Sequence, residues 1–153
     1  MNLKSSYYTE NDEKCLPTGK ILTVENSPFD FKSPKKIGEN INDDNIQLKN
    51  GAGYDHNFIL DSKDDLKYAG YLYGDESKIK MYIYTTCPAI QFYSGNVLTN
   101  RVGKSENNYS ERTGLCLETQ YYPNSMEHKH FPSIILKKND LFKEKTIYKF
   151  LVE

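Results

Sequence analysis

The sequence predicts a mainly β protein in which antiparallel strands form a β-sandwich. Short runs of alternating apolar and polar residues recur along the 153 residues, and this two-residue period is typical of strands that bury one face. No stretch carries apolar residues at the spacing of an amphipathic helix. Turn residues separate the runs at fairly even intervals, which favours a sandwich. We therefore expect helix to make up less than about a tenth of the chain, well below the usual share.

The first third of the chain is polar and rich in turn residues. Only the ILTV run at 21–24 predicts a strand, and Phe29 and Phe31 are placed to anchor a loop onto a core. A stretch of this length with so little periodicity is uncommon inside a compact domain. We expect residues 1–50 to be an extended connecting segment and residues 51–153 to form the β-rich part.

The remaining strands are expected in the β-rich part. Residues 68–73 and 79–84 flank the turn residues 74–77, so their length and spacing predict a hairpin. Residues 100–112 are polar and are expected to form an exposed loop. The other predicted strands are 58–60, 90–93, 114–120, 133–136 and 146–152.

The run at 114–120 is the most informative of these strands. Its alternation predicts burial on both faces, with Leu117 on one face and Cys116, Glu118 and Gln120 on the other. Cys116 would then be a small core residue. A carboxylate is rarely buried without a partner, and one held on a rigid strand is a plausible general base. The alternative is a strand at the sheet surface with a solvated Glu118.

Composition excludes several classes of function. A net charge of -1 does not provide the basic patch of a nucleic-acid-binding protein. No apolar run reaches the length of a membrane span, and the N-terminus lacks the apolar region of a signal peptide. The three scattered cysteines have no metal-ligand spacing and fit a reducing compartment. We expect a cytoplasmic protein with no metal, no nucleic-acid partner and no membrane partner.

Polar side chains on otherwise apolar strands form the candidate site. Asp55 follows a glycine-containing turn, and Gln91 and Tyr93 share one strand face, where an amide and a phenol suit hydroxyl recognition. The alternatives are a turn cap for Asp55 and an ordinary aromatic core strand for 90–93. His56 is expected to be structural, and His128 and His130 to be solvated.

Three ordered motifs then resemble one family. GYDHNF at 53–58, QFYSGN at 91–96 and CLETQ at 116–120 are similar, in order and spacing, to the galactose mutarotase (aldose 1-epimerase) family. The resemblance extends over LPTG at 16–19, PFDF at 28–31, FPS at 131–133 and YKF at 148–150. Ala89 stands where the family usually has glycine, and residues 139–140 replace its usual Pro-Gly turn.

The resemblance implies a fold and a reaction. The fold is the mutarotase-like supersandwich, of which this chain resembles only the C-terminal portion. The reaction is interconversion of the α and β anomers of a free hexose such as galactose or glucose, without metal or cofactor. Glu118 would be the base and Asp55 would bind hydroxyls. Gln91 would bind hydroxyls or position Glu118, with Tyr93 as a further substrate-binding residue. The family's histidine acid lies in the N-terminal half, which the chain does not resemble.

Two alternatives belong to other classes. The first is a carbohydrate-binding module without turnover, and the second is an inactive truncated homologue. A half-sandwich would expose a sheet edge, and open edges favour association with another copy. For the enzyme, we expect Asp55, Gln91 and Glu118 to converge on one cleft.

Overall fold

The computed structural model describes residues 1–152 and contains mostly strands. Strand makes up 36% and helix 7%, which confirms the mainly β prediction. The helices are α1 (Ile46–Asn50) and two 3-10 turns, Ile37–Glu39 and Lys104–Glu106. Among the described residues no helix is both long enough and apolar enough to cross a membrane. The strands are β1 (Asn2–Leu3), β2 (Tyr7–Asn11), β3 (Pro17–Thr23), β4 (Asp55–Ile59), β5 (Lys67–Tyr73), β6 (Ile79–Thr85), β7 (Ala89–Tyr93), β8 (Arg101–Val102), β9 (Asn108–Tyr109), β10 (Cys116–Gln120) and β11 (Thr146–Val152).

Two antiparallel sheets enclose the core. One sheet has the strand order β10-β7-β4-β2-β3, and the other has the order β1-β5-β6-β11. The predicted hairpin is confirmed as β5 paired with β6. Within the predicted exposed loop, β8 and β9 form a separate two-stranded ribbon. The two large sheets therefore give the sandwich that the sequence predicts.

The prediction of an extended connecting segment at 1–50 with one strand is wrong. This region contributes β1 to one sheet, β2 and β3 to the other, and the short helix α1. Its strands are short or interrupted by a bulge between Thr9 and Asn11, so they carry little visible alternation. They form because neighbouring strands supply the hydrogen bonds, and that pairing depends on residues far away in the sequence.

An aromatic cluster fills the space between the sheets. Phe29 and Phe31 are almost completely buried, which confirms that this loop anchors onto the core. The Phe29 ring stacks on Tyr8 with centroids 4.4 Å apart, and the Phe92 ring stacks on Tyr54 at 5.2 Å. Such pairs contribute about 0.5–1.5 kcal/mol beyond the burial of apolar area. Burial and the Glu10 charge raise the pKa of Tyr8 to about 12.

His56 belongs to this cluster. Its ring is fully buried, and its centroid lies 4.6 Å from that of Phe29. Nδ1 accepts a hydrogen bond from the backbone N–H of Asp55, whereas Nε2 has no partner among the described residues. Burial disfavours the charged imidazolium and lowers the pKa of His56 to about 3. His56 is therefore a neutral core side chain, as expected.

One further strand prediction and one burial prediction are wrong. Residues 133–136 form no strand, and the side chains of Ile134, Ile135 and Leu136 are exposed. The apolar run has strand propensity, but no neighbouring strand supplies a hydrogen-bonding partner. The strand at 114–120 is not buried on both faces, because β10 is the edge of its sheet and pairs only with β7.

The last strand is uncovered on its inner face. β11 pairs with β6 so that Tyr148 and Phe150 lie on the same face as the buried Ile83. The opposite sheet reaches only the first residues of this strand, through Thr146 and Tyr148, and Phe150 is 61% exposed. Exposed apolar patches of this kind mark interaction surfaces. The core is therefore closed around Phe92 and open beneath β11.

Truncation of Phe92 and of Phe150 should have different effects on stability, because Phe92 lies in the closed part of the core and Phe150 in the open part. Phe92→Ala should lower the free energy of unfolding by about 3–5 kcal/mol, because a fully buried ring is lost. Phe150→Ala should change it by less than about 1 kcal/mol, as for an exposed position. Urea unfolding followed by circular dichroism measures both variants. Equal losses would show that β11 is covered in solution.

The buried His56 should make stability depend on pH. The folded pKa of His56, about 3, lies below the unfolded value of about 6.5. The unfolded state therefore binds the proton first, and stability present above about pH 6.5 is lost as the pH falls toward 3. The slope should reach about 1.4 kcal/mol per pH unit.

The matched variant for this prediction is His56→Phe, which keeps a ring in the cluster. Its unfolding free energy should fall less steeply between about pH 6.5 and 4, since the unfolded variant no longer takes up a proton at position 56. Parallel curves for the two proteins would contradict the assignment of a neutral, buried imidazole.

Candidate active site

The strand register places the candidate residues in two rows on the outer face of the five-stranded sheet. β4 and β7 pair Asp55 with Tyr93 and Asn57 with Gln91. β10 and β7 pair Glu118 with Gln91. Because alternate residues of a strand point to one face, the aromatic partners between them face the core. Three strands distant in sequence thus present an acid, an amide and a second acid side by side.

A cavity of about 410 Å³ is lined by Asp55, Gln91, Tyr93 and Glu118. The prediction that Asp55, Gln91 and Glu118 converge on one cleft is confirmed. The remaining lining residues are Val97, Gln120 and Pro123. The only charged groups in this lining are carboxylates, so the cleft suits a neutral ligand with hydroxyl groups better than an anion.

A chain of amides fixes the orientation of Gln91. Its Nε2 donates to Asp55 Oδ1 at 2.7 Å, and its Oε1 accepts from Gln120 Nε2 at 3.2 Å. Gln120 Nε2 also donates to Asn57 Oδ1 at 3.1 Å. An ionised carboxylate can only accept, so Asp55 sets the direction of every donor along the chain. The Gln91 side chain is consequently held in one amide orientation beneath the cleft.

Glu118 has a different environment. It is exposed on the edge strand, so the predicted burial is absent and the surface-strand alternative was correct. Cys116 is also exposed, not a core residue. Partial desolvation, followed by the charge of Glu118, raises the pKa values of the Cys116 thiol and the Tyr148 phenol. Both groups stay protonated at neutral pH beside the carboxylate.

Tyr93 is anchored by one further contact and Asp55 by two. The Tyr93 hydroxyl accepts a hydrogen bond from the Val97 N–H at 3.1 Å, which leaves its own O–H free to donate. The Cys15 thiol lies 3.8 Å from Asp55 Oδ2, and burial together with the Asp55 charge raises the pKa of Cys15. Asn11 Nδ2 donates to the Asp55 carbonyl at 2.9 Å.

A polar latch joins the start of β4 to the end of β7. Asn96 Nδ2 donates to the carbonyls of Gly51 and Tyr54, both at 2.9 Å, and Ser94 Oγ donates to Asn96 Oδ1 at 2.5 Å. Gly53 has a φ of +133°, and a Cβ there would lie 2.4 Å from Asn96 Oδ1. Glycine is therefore required at 53, and the latch holds Asp55 beside Tyr93.

The histidines lie away from the cleft. His56 is in the core, and the Nε2 atoms of His128 and His130 lie 3.0 and 2.8 Å from the carbonyls of Pro17 and Gly19. His130 is exposed, as expected, although its Nε2 contacts the backbone of β3. His128 is partly buried against the same strand, so the expectation of a solvated side chain is wrong for His128. Among the described residues no group of three or more His, Cys, Asp or Glu side chains is arranged to hold a metal ion.

Sequence reasoning missed Gln120 and Asn57. Both lie in motifs that were noticed, and both share a strand face with a predicted site residue. The alternation that places Glu118 on the outer face places Gln120 there also, so this signal was available. Asn57 could be placed only with the register of β4 against β7.

The aldose 1-epimerase family profile matches residues 1–149. Galactose mutarotase from Bos taurus is 31% identical over 99% of this chain, and that from Mus musculus is 34% identical over the same share. Aldose 1-epimerase from Escherichia coli K12 is 33% identical over 100% of the chain. The chain spans a little under half the length of these relatives, 43% of the two mammalian proteins and 45% of the bacterial one.

Solved structures agree with this similarity. The GalM/aldose epimerase homologue from C. elegans superposes with a TM-score of 0.83 at 22% identity, over 99% of this chain and 45% of that protein. Galactose 1-epimerase from Lactobacillus acidophilus superposes with a TM-score of 0.72 at 27% identity, over 98% of this chain and 42% of that protein. The fold, the motifs and the profile together show that the chain belongs to the aldose 1-epimerase family.

Proposed function

We propose that this chain carries the general-base half of an aldose 1-epimerase site. The observation that supports it is that the polar side chains of Asp55, Gln91, Tyr93 and Glu118 line one cleft. The substrate class is a neutral aldohexose, such as galactose or glucose. The relatives are named as galactose mutarotase and aldose 1-epimerase.

In the proposed reaction Glu118 takes the proton of the C1 hydroxyl. An acid protonates the ring oxygen as the bond between C1 and that oxygen breaks, which gives the open-chain aldehyde. Rotation about the C1–C2 bond presents the other face, and the ring closes with the two proton transfers reversed. Because the same base takes and returns a proton, an accessible carboxylate on an edge strand suits the task.

Asp55 and Gln91 would hold the substrate hydroxyls. Asp55 Oδ1 accepts from Gln91 and Oδ2 accepts only the long contact of 3.8 Å from the Cys15 thiol, so Oδ2 can also accept from a sugar hydroxyl. Gln91 is fixed by Gln120 and Asp55 and adjoins Glu118 across the strand pair. It would keep the sugar in reach of the base, and the Tyr93 O–H would donate to a further hydroxyl. Preorganised groups of this kind reduce the entropy lost on binding.

The acid would come from another polypeptide segment. None of the three histidines faces the cleft, for the reasons given above. We propose that the part of the family fold not matched by this chain supplies it, packed beneath β11 and along the free edge of β10. Without that part, a second copy would cover the same surface. The unpaired thiols of Cys15, Cys87 and Cys116 support a cytoplasmic location.

A sugar-binding module without turnover is the second candidate. The observation that favours it is that Asp55, Gln91 and Tyr93, the proposed hydroxyl-binding residues, line the cleft whereas none of the three histidines does. Both candidates bind hexose, and only the enzyme exchanges anomers when the remaining family half is supplied.

Replacing the base should remove turnover but not binding. In the chain combined with a polypeptide equivalent to the remaining half, Glu118→Gln should slow glucose anomer exchange by roughly 10²–10⁴-fold, because the amide cannot accept the C1 proton. Polarimetry follows the exchange, and calorimetry follows binding. Glu76→Gln in the turn after β5 is the matched control and should exchange at the parent rate. Unaltered exchange in Glu118→Gln would reject the assigned base.

The chain by itself should exchange anomers poorly. Its buried His56 has a pKa of about 3 and faces the aromatic core, so it cannot replace the acid. Addition of the remaining half should raise the rate well above that of the chain in buffer. An equal rate without it would overturn the need for an external acid and make His56 the first residue to mutate.

A further inference from the structure

The outer face of the four-stranded sheet carries a strip of tyrosine rings, on the sheet opposite to the one that bears the cleft. β5 and β6 pair Tyr68 with Tyr84 and Tyr71 with Tyr82. The intervening Ile83 is buried in the core, so the paired rings face outward. Centroids lie 5.3 Å apart for Tyr68 and Tyr84, 6.4 Å for Tyr68 and Tyr82, and 6.0 Å for Tyr71 and Tyr82. The four rings therefore form one continuous aromatic surface, called here the tyrosine strip.

A β-bulge produces this strip. Tyr68 and Tyr71 are three residues apart, and strict alternation would place them on opposite faces of the sheet. The register of β5 against β6 shifts between Tyr68 and Gly70, and the extra residue turns both rings outward. Gly70 has a φ of +136°, and a Cβ there would collide with the Asn2 carbonyl oxygen of β1. Glycine is therefore required at the bulge, and the backbone itself keeps both rings on the surface.

The tyrosine strip continues into a cavity of about 500 Å³ at the end of β5. Tyr71 belongs to both, and Tyr73, Pro34 and Ile37 add apolar lining. The volume of this cavity is within the size range of small-molecule sites. The strip itself extends for about 14 Å along β6, at a rise of about 3.4 Å per residue. Strip and cavity together offer room for a chain of several small rings.

The charged groups at the cavity favour a neutral ligand. Lys35 Nζ donates to the Pro28 carbonyl at 2.7 Å and to Asn40 Oδ1 at 3.1 Å, so its ammonium group is already used. The other charged lining residues are Lys36 and Asp75, whose charges are opposite. A charged ligand would therefore gain little Coulomb energy from this lining.

Tyrosine matches the two kinds of surface that a sugar ring presents. A pyranose with equatorial substituents has apolar C–H groups on its faces and hydroxyl groups around its rim. An aromatic ring packs against the C–H groups, and a phenol hydroxyl can both donate and accept. The hydroxyl groups of Tyr68, Tyr71 and Tyr84 make no hydrogen bond among the described residues. The strip can thus stack on sugar rings and bond their hydroxyl groups.

A second copy of the chain fits this face less well. β5, β6 and β11 contribute lysines to the sheet but no carboxylate among their described residues. A two-fold contact sets the same patch of both copies against itself. Lysines of one copy would then meet lysines of the other, and like charges across an interface are unfavourable.

We propose that the tyrosine strip and its cavity bind an extended, neutral glycan of the cellulose type. A short sheet is nearly flat with a slight twist, and a cellulose-type chain is a flat ribbon whose rings all present an apolar face. An amylose-type chain coils and would touch the strip with fewer rings. The site lies on the sheet opposite to the proposed sugar cleft, so a bound glycan leaves the cleft open. The inference does not depend on the proposed reaction.

Calorimetric titration of the chain with cellohexaose, maltohexaose and glucose tests the assignment. Cellohexaose should bind at least about 10-fold more tightly than maltohexaose, because more of its rings stack on the strip. Asp55→Asn, which alters the cleft, should keep the affinity for cellohexaose. Loss of cellohexaose binding in Asp55→Asn, or equal affinity for the two hexasaccharides, would overturn the inference. Failure of glucose to bind the parent chain would count against the proposed function and not against the strip.

The double variant Tyr68→Ala with Tyr84→Ala removes two rings of the strip. It should weaken cellohexaose binding by about 10-fold, as expected for two lost aromatic contacts. Tyr68→Phe with Tyr84→Phe keeps the rings and should retain most of the affinity. Tyr109→Ala removes an exposed ring from β9 and should bind like the parent.

Urea unfolding verifies that each variant is folded. Unchanged cellohexaose affinity in the alanine double variant would overturn the proposal. Sedimentation gives the remaining outcome, because a dimer that the alanine double variant abolishes would show that a second copy covers the strip, and this too would overturn it.

Discussion

The whole candidate site depends on the antiparallel register that β7 shares with β4 and β10. This register sets Asn57, Gln91 and Glu118 in one row and turns Phe58 and Phe92 to the other face. A slip of one residue would exchange the two faces, placing aromatic rings in the cleft and carboxylates in the core. The latch at Ser94 and Asn96 holds the ends of β4 and β7 together at the register the site needs.

The same strands therefore present the core residues on one face and the site residues on the other. The hydrophobic effect specifies the register, because only one pairing buries Phe58, Ile90 and Phe92 together. The same register places the polar side chains on the outer face, so no separate interaction is needed to select it. Its amides then need only local hydrogen bonds to become ordered, and Asp55 supplies the acceptor that orients them. Stability of the sandwich and geometry of the cleft are linked through the same strands.

Local alternation predicted the strands that are long and flanked by turns, such as β5, β6, β7 and β11, together with the polar face of β10. It failed where structure depends on distant partners. β1 has only two residues and the pairing of β2 is interrupted by a bulge, so neither shows a clear period. Residues 133–136 have strand propensity but no neighbouring strand. Burial of Glu118 was mispredicted for the same reason, since sequence does not reveal that β10 is an edge. The convergence of Asp55, Gln91 and Glu118 was predictable because each residue lies in one of the three motifs that resemble a single family.

The free edge of β10 and the uncovered inner face of β11 lie next to each other. Thr146 of β11 contacts Thr119 of β10 with hydroxyl oxygens 2.5 Å apart, and the Tyr148 hydroxyl donates to the Leu117 carbonyl at 3.0 Å. The free edge of β10, which carries Glu118, therefore adjoins the uncovered inner face of β11, which carries Phe150. One packing event on this side would bury apolar surface and bring new side chains toward the base at the same time. Under the proposed function, burial of Phe150 provides the driving force that would hold an external acid near Glu118.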